Sequence, residues 1–190
     1  MSAELLVLGW SKFLEDSAFL AGQIRKSGYR PDLLVAIARG GWIVGRLLSD
    51  LLNIQEVSSL MIKSYKGIGV RSAESSVWYQ DLPDLRGRRV LIVDDIADTG
   101  LTLKTAVELV RGAGAEDVRT ATLYMKSRSS FKPDYFVRVI DRWVVFPYEY
   151  CEVASELLSN GYRLDELIEM GFEKKLLNLL CKVGVMGVGY

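Results

Sequence analysis

Apolar positions fall along this chain in two rhythms. From residue 10 to 27 they recur at Phe13, Leu14, Ala18, Leu20, Ala21 and Ile24, one face of a helix, with Gly28 and Pro31 to end it. Residues 33–38 are then continuously apolar, which predicts a strand covered on both faces. Arg39-Gly40-Gly41 follows, and residues 42–52 read as a helix. A second strand is expected over 57–63, a Gly-, Ser- and Lys-rich mobile loop over 64–76, and a short β arm at 77–79. Residues 89–94 read as a third strand with its apolar run at 90–93, 101–111 as a helix closed by Gly112-Ala113-Gly114, and 118–126 and 135–140 as two further strands. Residues 143–150 are aromatic and irregular, and from residue 152 the leucines return to helical spacing in two or three short amphipathic segments. Strands alternating with helices predict an α/β fold with a doubly wound, mostly parallel sheet.

One stretch carries more chemistry than the rest. Val90-Leu91-Ile92-Val93 runs into Asp94-Asp95, then Ile96-Ala97, then Asp98-Thr99-Gly100-Leu101-Thr102 at the start of the next helix. Acids at the carboxyl end of a buried parallel strand face the ligand crevice of an open α/β sheet. Small hydroxyl residues and glycine opening the following helix make an anion cradle at its positive end. The segment therefore offers carboxylates for sugar hydroxyls beside a site for phosphate.

Composition narrows the classes. With 190 residues, 49% of them hydrophobic, the chain can bury a sizeable core as one ordinary domain with a small appendage. No apolar run reaches ~18 residues, so no membrane partner is expected. No basic-then-apolar leader is seen either, and a cytoplasmic location is expected. Lys plus Arg and Asp plus Glu both number 24, so the broad basic face that nucleic-acid binding needs is not expected. Cys151 and Cys181 lack metal-ligand spacing and are expected as free thiols. Histidine is absent, which removes Ser-His hydrolase chemistry and leaves acid–base work to carboxylates, Lys or Tyr. Gly67-Ile68-Gly69 lacks the third glycine of a dinucleotide fingerprint, and no P-loop occurs.

The segment from Val93 to Thr102 resembles the signature of the type I phosphoribosyltransferases that binds 5-phosphoribosyl 1-pyrophosphate (PRPP). A hydrophobic run, two acids, two variable residues and Asp/Glu-Thr-Gly-x-Thr all fit. The resemblance implies that Asp94 and Asp95 engage the ribose hydroxyls and, through water, Mg2+. It gives the 5′-phosphate to the backbone of Asp98, Thr99, Gly100, Leu101 and Thr102, with the two threonine hydroxyls. It makes Asp98 the candidate catalytic base, beside purine N7. Arg39-Gly40-Gly41, about 55 residues earlier, resembles the family's pyrophosphate loop. Ser64-Tyr65 resembles the start of a flexible lid, with Lys63, Lys66 and Arg71 suited to an anionic ligand.

Lys126 and the segment from Asp141 to Glu149 resemble the base-recognition parts of the 6-oxopurine branch, especially the xanthine–guanine type. Lys126 would donate to purine O6, Trp143 would stack, Val144 and Val145 would read the ring edge, and Glu149 would help hold a second magnesium. A lysine donor favours a carbonyl over the amino group of adenine. The implied fold is a type I core with a small hood over residues 1–150 and a C-terminal helical extension over 151–190. The implied activity is purine salvage from PRPP and guanine, hypoxanthine or xanthine, giving nucleoside monophosphate and pyrophosphate, in a homo-oligomer (dimer or tetramer). Orotate or adenine transfer, or a non-catalytic PRPP-binding regulator, are the alternatives. Leu91 to Asp95 also resembles the first strand of a signalling receiver domain, which would leave half the chain without a role.

Overall fold

The computed structural model describes residues 5–65 and 74–186. They divide into two compact units, Leu14–Ile140 and Met1–Phe13 with Asp141–Tyr190, the division falling inside the first helix.

The larger unit is built on a six-stranded sheet of order β4-β3-β2-β5-β6-β7. Its strands are β2 (Leu33–Ala38), β3 (Val57–Tyr65), β4 (Glu74–Asp81), β5 (Arg89–Ala97), β6 (Asp117–Met125) and β7 (Tyr135–Val139). Every pairing is parallel except β3 with β4. The helices are α1 (Trp10–Lys26), α2 (Gly40–Leu52) and α3 (Leu101–Gly112). The continuous apolar runs are explained by cover on both faces. Leu33, Val35, Ile37, Val90 and Ile92 join Leu103, Ala106 and Val110 of α3 in one core cluster. On the alternate parity, Leu34 and Ala36 lie against Gly45 of α2, where a β-carbon would come within 3.1 and 3.0 Å of them.

Winding reverses between β2 and β5. From β2 the chain passes through α2 to β3 on one side, and from β5 through α3 to β6 on the other. The β2–β5 ladder runs only from Leu33↔Val90 to Ala36↔Val93, whereas β5 stays paired with β6 as far as Ala97↔Met125. The sheet therefore opens beside β5 from Asp94 onward, at the place where open α/β sheets bind ligands.

The smaller unit pairs β1 (Leu5–Val7) in parallel with β8 (Trp143–Val145). It continues through α4 (Tyr150–Ser159), α5 (Leu164–Glu169) and α6 (Lys174–Lys182). Val145 shares a core with Tyr150, Ala154, Leu167, Phe172, Leu177 and Met186. Among the described residues no helix is long and apolar enough to cross a membrane.

Four readings of the sequence need correction. The loop expected over 64–76 is in part a hairpin, since β3 runs to Tyr65 and β4 begins at Glu74 in antiparallel register. Polar Ser and Gln residues disguised the ends of these strands beyond 57–63 and 77–79, because an edge hairpin need not be apolar on both faces. Lys66, Gly67, Gly69 and Arg71 lie outside the described residues. The segment after Asp141 is not irregular throughout, because Trp143 to Val145 is a strand. Its partner β1 was not anticipated, three residues being too few to show a period. Finally, β5 does not stop at Asp94 but continues to Ala97.

Candidate active site

The two sequence motifs that looked most like ligand loops meet where the sheet opens. Gly40 and Gly41 form the first turn of α2, and the Ala38–Arg39 peptide that leads into it is cis. A β-carbon on Gly41 would lie 2.6 Å from the Val93 carbonyl oxygen and 3.2 Å from Asp94 Cα. One on Gly40 would lie 1.7 Å from Asp95 Oδ2. Only glycine lets the helix start sit this close to the end of the apolar run. Asp94 Oδ1 accepts a 3.0 Å hydrogen bond from the Asp95 amide, which fixes the first carboxylate over its own strand. Burial, and then the neighbouring Asp95 carboxylate, push the Asp94 carboxyl well above its usual range. A pair of acids so placed seeks hydroxyl donors or a cation.

The second wall is the turn from β5 into α3. Gly100 has φ +84°, a left-handed conformation that glycine adopts without penalty, and it caps α3. Thr99 Oγ1 accepts from the Leu101 amide at 3.4 Å. Packing also calls for glycine at this position. A β-carbon on Gly100 would lie 2.6 Å from both Phe131 N and Phe131 Cβ and 2.7 Å from Ser129 Oγ. The residues after β6 are thus pressed onto the turn from β5 into α3. Ser130 donates to the Thr99 carbonyl from its amide (2.9 Å) and its hydroxyl (2.8 Å), and Lys126 N donates to the Ala97 carbonyl at 2.9 Å. Lys126 is itself buried, and its backbone is tied to the residue that precedes Asp98. The Asp98 carboxylate meets Arg128, whose Nε and Nη2 both donate to Oδ1, at 3.1 and 2.5 Å.

Arg39, Gly40, Gly41, Asp94, Asp95, Asp98, Thr99, Gly100, Leu101, Thr102 and Lys126 thus all belong to the larger unit. Ser64 and Tyr65 close β3 of the same unit. Trp143, Val144, Val145 and Glu149 belong to the smaller one. There Trp143 stands 58% exposed while Val144 and Val145 are buried. Phe146 and Tyr148 stack 5.4 Å apart, both edge-on to Phe13. Glu149 Oε2 accepts from Phe146 N at 3.1 Å, and Glu149 N donates back to the Phe146 carbonyl, closing the turn into α4.

The profile of the family described as "Phosphoribosyl transferase domain" matches residues 7–154. The chain belongs to the phosphoribosyltransferase family. Among curated relatives, the xanthine-guanine phosphoribosyltransferase of Ruegeria sp. (strain TM1040) is 31% identical over 154 residues, 75% of this chain and 84% of the relative. Among solved structures, the purine phosphoribosyltransferase of Pyrococcus horikoshii Ot3 superposes with a TM-score of 0.67 at 35% identity, covering 76% of this chain and 93% of that one. The xanthine-guanine-hypoxanthine phosphoribosyltransferase of Helicobacter pylori shares the fold, with a TM-score of 0.64 at 22% identity over 82% of this chain and 99% of that one.

In this phosphoribosyltransferase the donor set at Asp94 and Asp95 is oxygen only, which suits a hard divalent cation. Among the described residues no group of three or more acidic or thiol side chains converges on a cation. Sequence reasoning missed Arg128 and the Ser129–Ser130–Phe131 clamp. A polar run after a strand carries no signal of what it will cover. The one available hint was a second cation two residues beyond Lys126.

Proposed function

We propose that this phosphoribosyltransferase serves purine salvage, moving the 5-phosphoribosyl group of PRPP to N9 of a 6-oxopurine (guanine, hypoxanthine or xanthine). The observation that carries the reading is the seating of Gly40 and Gly41 on Asp94 and Asp95 at the winding reversal, with Lys126 tied to Ala97 beside Asp98. Leaving-group loop, sugar acids, phosphate loop and base donor are then contiguous. The names borne by the curated relatives support the same substrate class.

The amides after Arg39 hold the pyrophosphate, Asp94 and Asp95 the ribose hydroxyls, and the start of α3 the 5′-phosphate. The N9–C1′ bond forms as the C1′–O bond breaks, and that bond's electron pair leaves on pyrophosphate. Asp98 takes the ring proton carried at N7, and the carboxylates stabilise the positive charge that develops on the sugar. Lys126 donates to O6. Trp143 stacks on the ring, which its exposure supports, and Val144 and Val145 read the ring edge through their backbone. Ser64 and Tyr65 begin a lid that excludes water. Asp94 and Asp95 through water, and Glu149 for a second ion, are the residues that would hold magnesium, which when bound neutralises charge on the pyrophosphate. Residues 151–190 are an accessory to the transferase part, the enzyme works as a dimer or tetramer, and its compartment is the cytoplasm.

Calorimetric titration with PRPP and magnesium tests the ligand assignment. Binding should be lost or weakened at least tenfold in Asp94→Asn/Asp95→Asn. Unchanged affinity in that double variant would remove the carboxylates from the site.

A further inference from the structure

The candidate base does not stand alone. Both donors that Arg128 offers it, Nε at 3.1 Å and Nη2 at 2.5 Å, go to the same oxygen, Asp98 Oδ1. Oδ2 takes neither. The two side chains are 48% and 66% exposed, so the pair adds little to the stability of the fold. Arg128 also sits in a particular place. It is two residues beyond Lys126, in the turn closed by the Ser129 N to Lys126 O bond at 3.0 Å. The next residues are locked onto Thr99 and Gly100.

We propose that Arg128 is a positioning residue for Asp98. It fixes the carboxylate through one oxygen and leaves the other to receive the purine N7 proton. It also couples the loop that bears the base donor Lys126 to the residue that takes the proton. This rests on the transferase reading above and on Asp98 as the base. A rigid two-donor grip on one oxygen restricts rotation of the carboxylate, and a correctly held base is where most of the advantage of an enzymic proton acceptor lies. A guanidinium suits this better than an ammonium, because its donors are fixed in one plane.

The experiment is a double-mutant cycle on the full chain with PRPP, magnesium and a 6-oxopurine at saturation. Asp98→Asn should lower kcat about 10–10³-fold. Arg128→Ala should lower kcat about 10-fold or more, with KM for PRPP and the thermal midpoint unchanged. Arg128→Lys should recover part of the loss, and millimolar guanidinium should restore part of the activity of Arg128→Ala. In the Asp98→Asn background, Arg128→Ala should cost nothing further, because a residue that acts through another has no effect once that other is gone. Wild-type kcat in Arg128→Ala, or a loss that multiplies with that of Asp98→Asn, overturns the proposal while leaving the transferase reading intact. A wild-type chain that forms no product overturns the transferase reading itself.

Discussion

Tyr124 donates a 2.5 Å hydrogen bond to Oδ2 of Asp16, and Arg138 Nη2 reaches the same oxygen at 2.8 Å. Asp16 on α1 is 3% exposed, Tyr124 on β6 is fully buried, and the Arg138 guanidinium lies 5.4 Å over the tyrosine ring. Burial and the bond to Asp16 both push the Tyr124 hydroxyl up, so it stays a donor throughout the physiological range. Removing the hydroxyl leaves a buried carboxylate one donor short. Tyr124→Phe should therefore cost about 1–3 kcal/mol of stability, read from the urea midpoint at unchanged slope. No change in the midpoint would show that the Tyr124 hydroxyl carries none of that stability.

Gly41 gives a sharper test of the site. A β-carbon there would fall 2.6 Å from the Val93 carbonyl oxygen, so Gly41→Ala must move either the helix start or the end of the apolar run. PRPP affinity should fall at least tenfold by calorimetry while the far-UV spectrum stays native. Gly22→Ala is the control. Nothing lies within 4 Å of a β-carbon there, and alanine inside α1 should stabilise by roughly 0.5–1 kcal/mol.

Asp32 sets an acid limit at the opposite end of the β2–β5 ladder. Arg89 holds it with Nη2 on Oδ1 at 2.6 Å and its amide on Oδ2 at 2.9 Å, and these bonds lower its pKa from 3.8 to about 2. A carboxylate with a depressed folded pKa adds stability that is complete above its unfolded pKa and is lost as pH falls through the folded one. The pair is more than a third exposed, so screening reduces the effect to about 1 kcal/mol or less. Asp32→Asn should flatten the fall in thermal midpoint between about pH 4 and pH 2 relative to wild type. An unchanged slope over that window would count against the ion pair.

Lys126 is the selectivity test. A charge-assisted bond to O6 contributes about 1.5–3 kcal/mol, so Lys126→Ala should lower kcat/KM for hypoxanthine about 10–10²-fold. It should leave PRPP binding alone. Equal loss on adenine and hypoxanthine would show that the lysine does not read O6.

Much of this architecture was legible in the sequence because the sheet is covered on both faces. The runs at residues 33–38 and 90–93 had to be apolar throughout, as strands covered on both faces are. The winding reversal then placed the acids of one run beside the glycines after the other. What the sequence hid were contacts whose residues carry no period. Strand β1 has three residues, and the ends of β3 and β4 beyond 57–63 and 77–79 carry polar side chains such as Ser76 and Gln80. The grip of Arg128 on Asp98 joins residues 30 apart through a turn whose course no local pattern specifies.

The central claim is most directly tested by one product assay. Wild-type protein is incubated with PRPP, magnesium and each of guanine, hypoxanthine, xanthine, adenine and orotate in turn. Nucleoside monophosphate and pyrophosphate are then measured together. The two should appear in equal amounts with at least one 6-oxopurine, and not with orotate. Turnover confined to adenine or orotate, or tight PRPP binding without product from any base, would contradict the assignment.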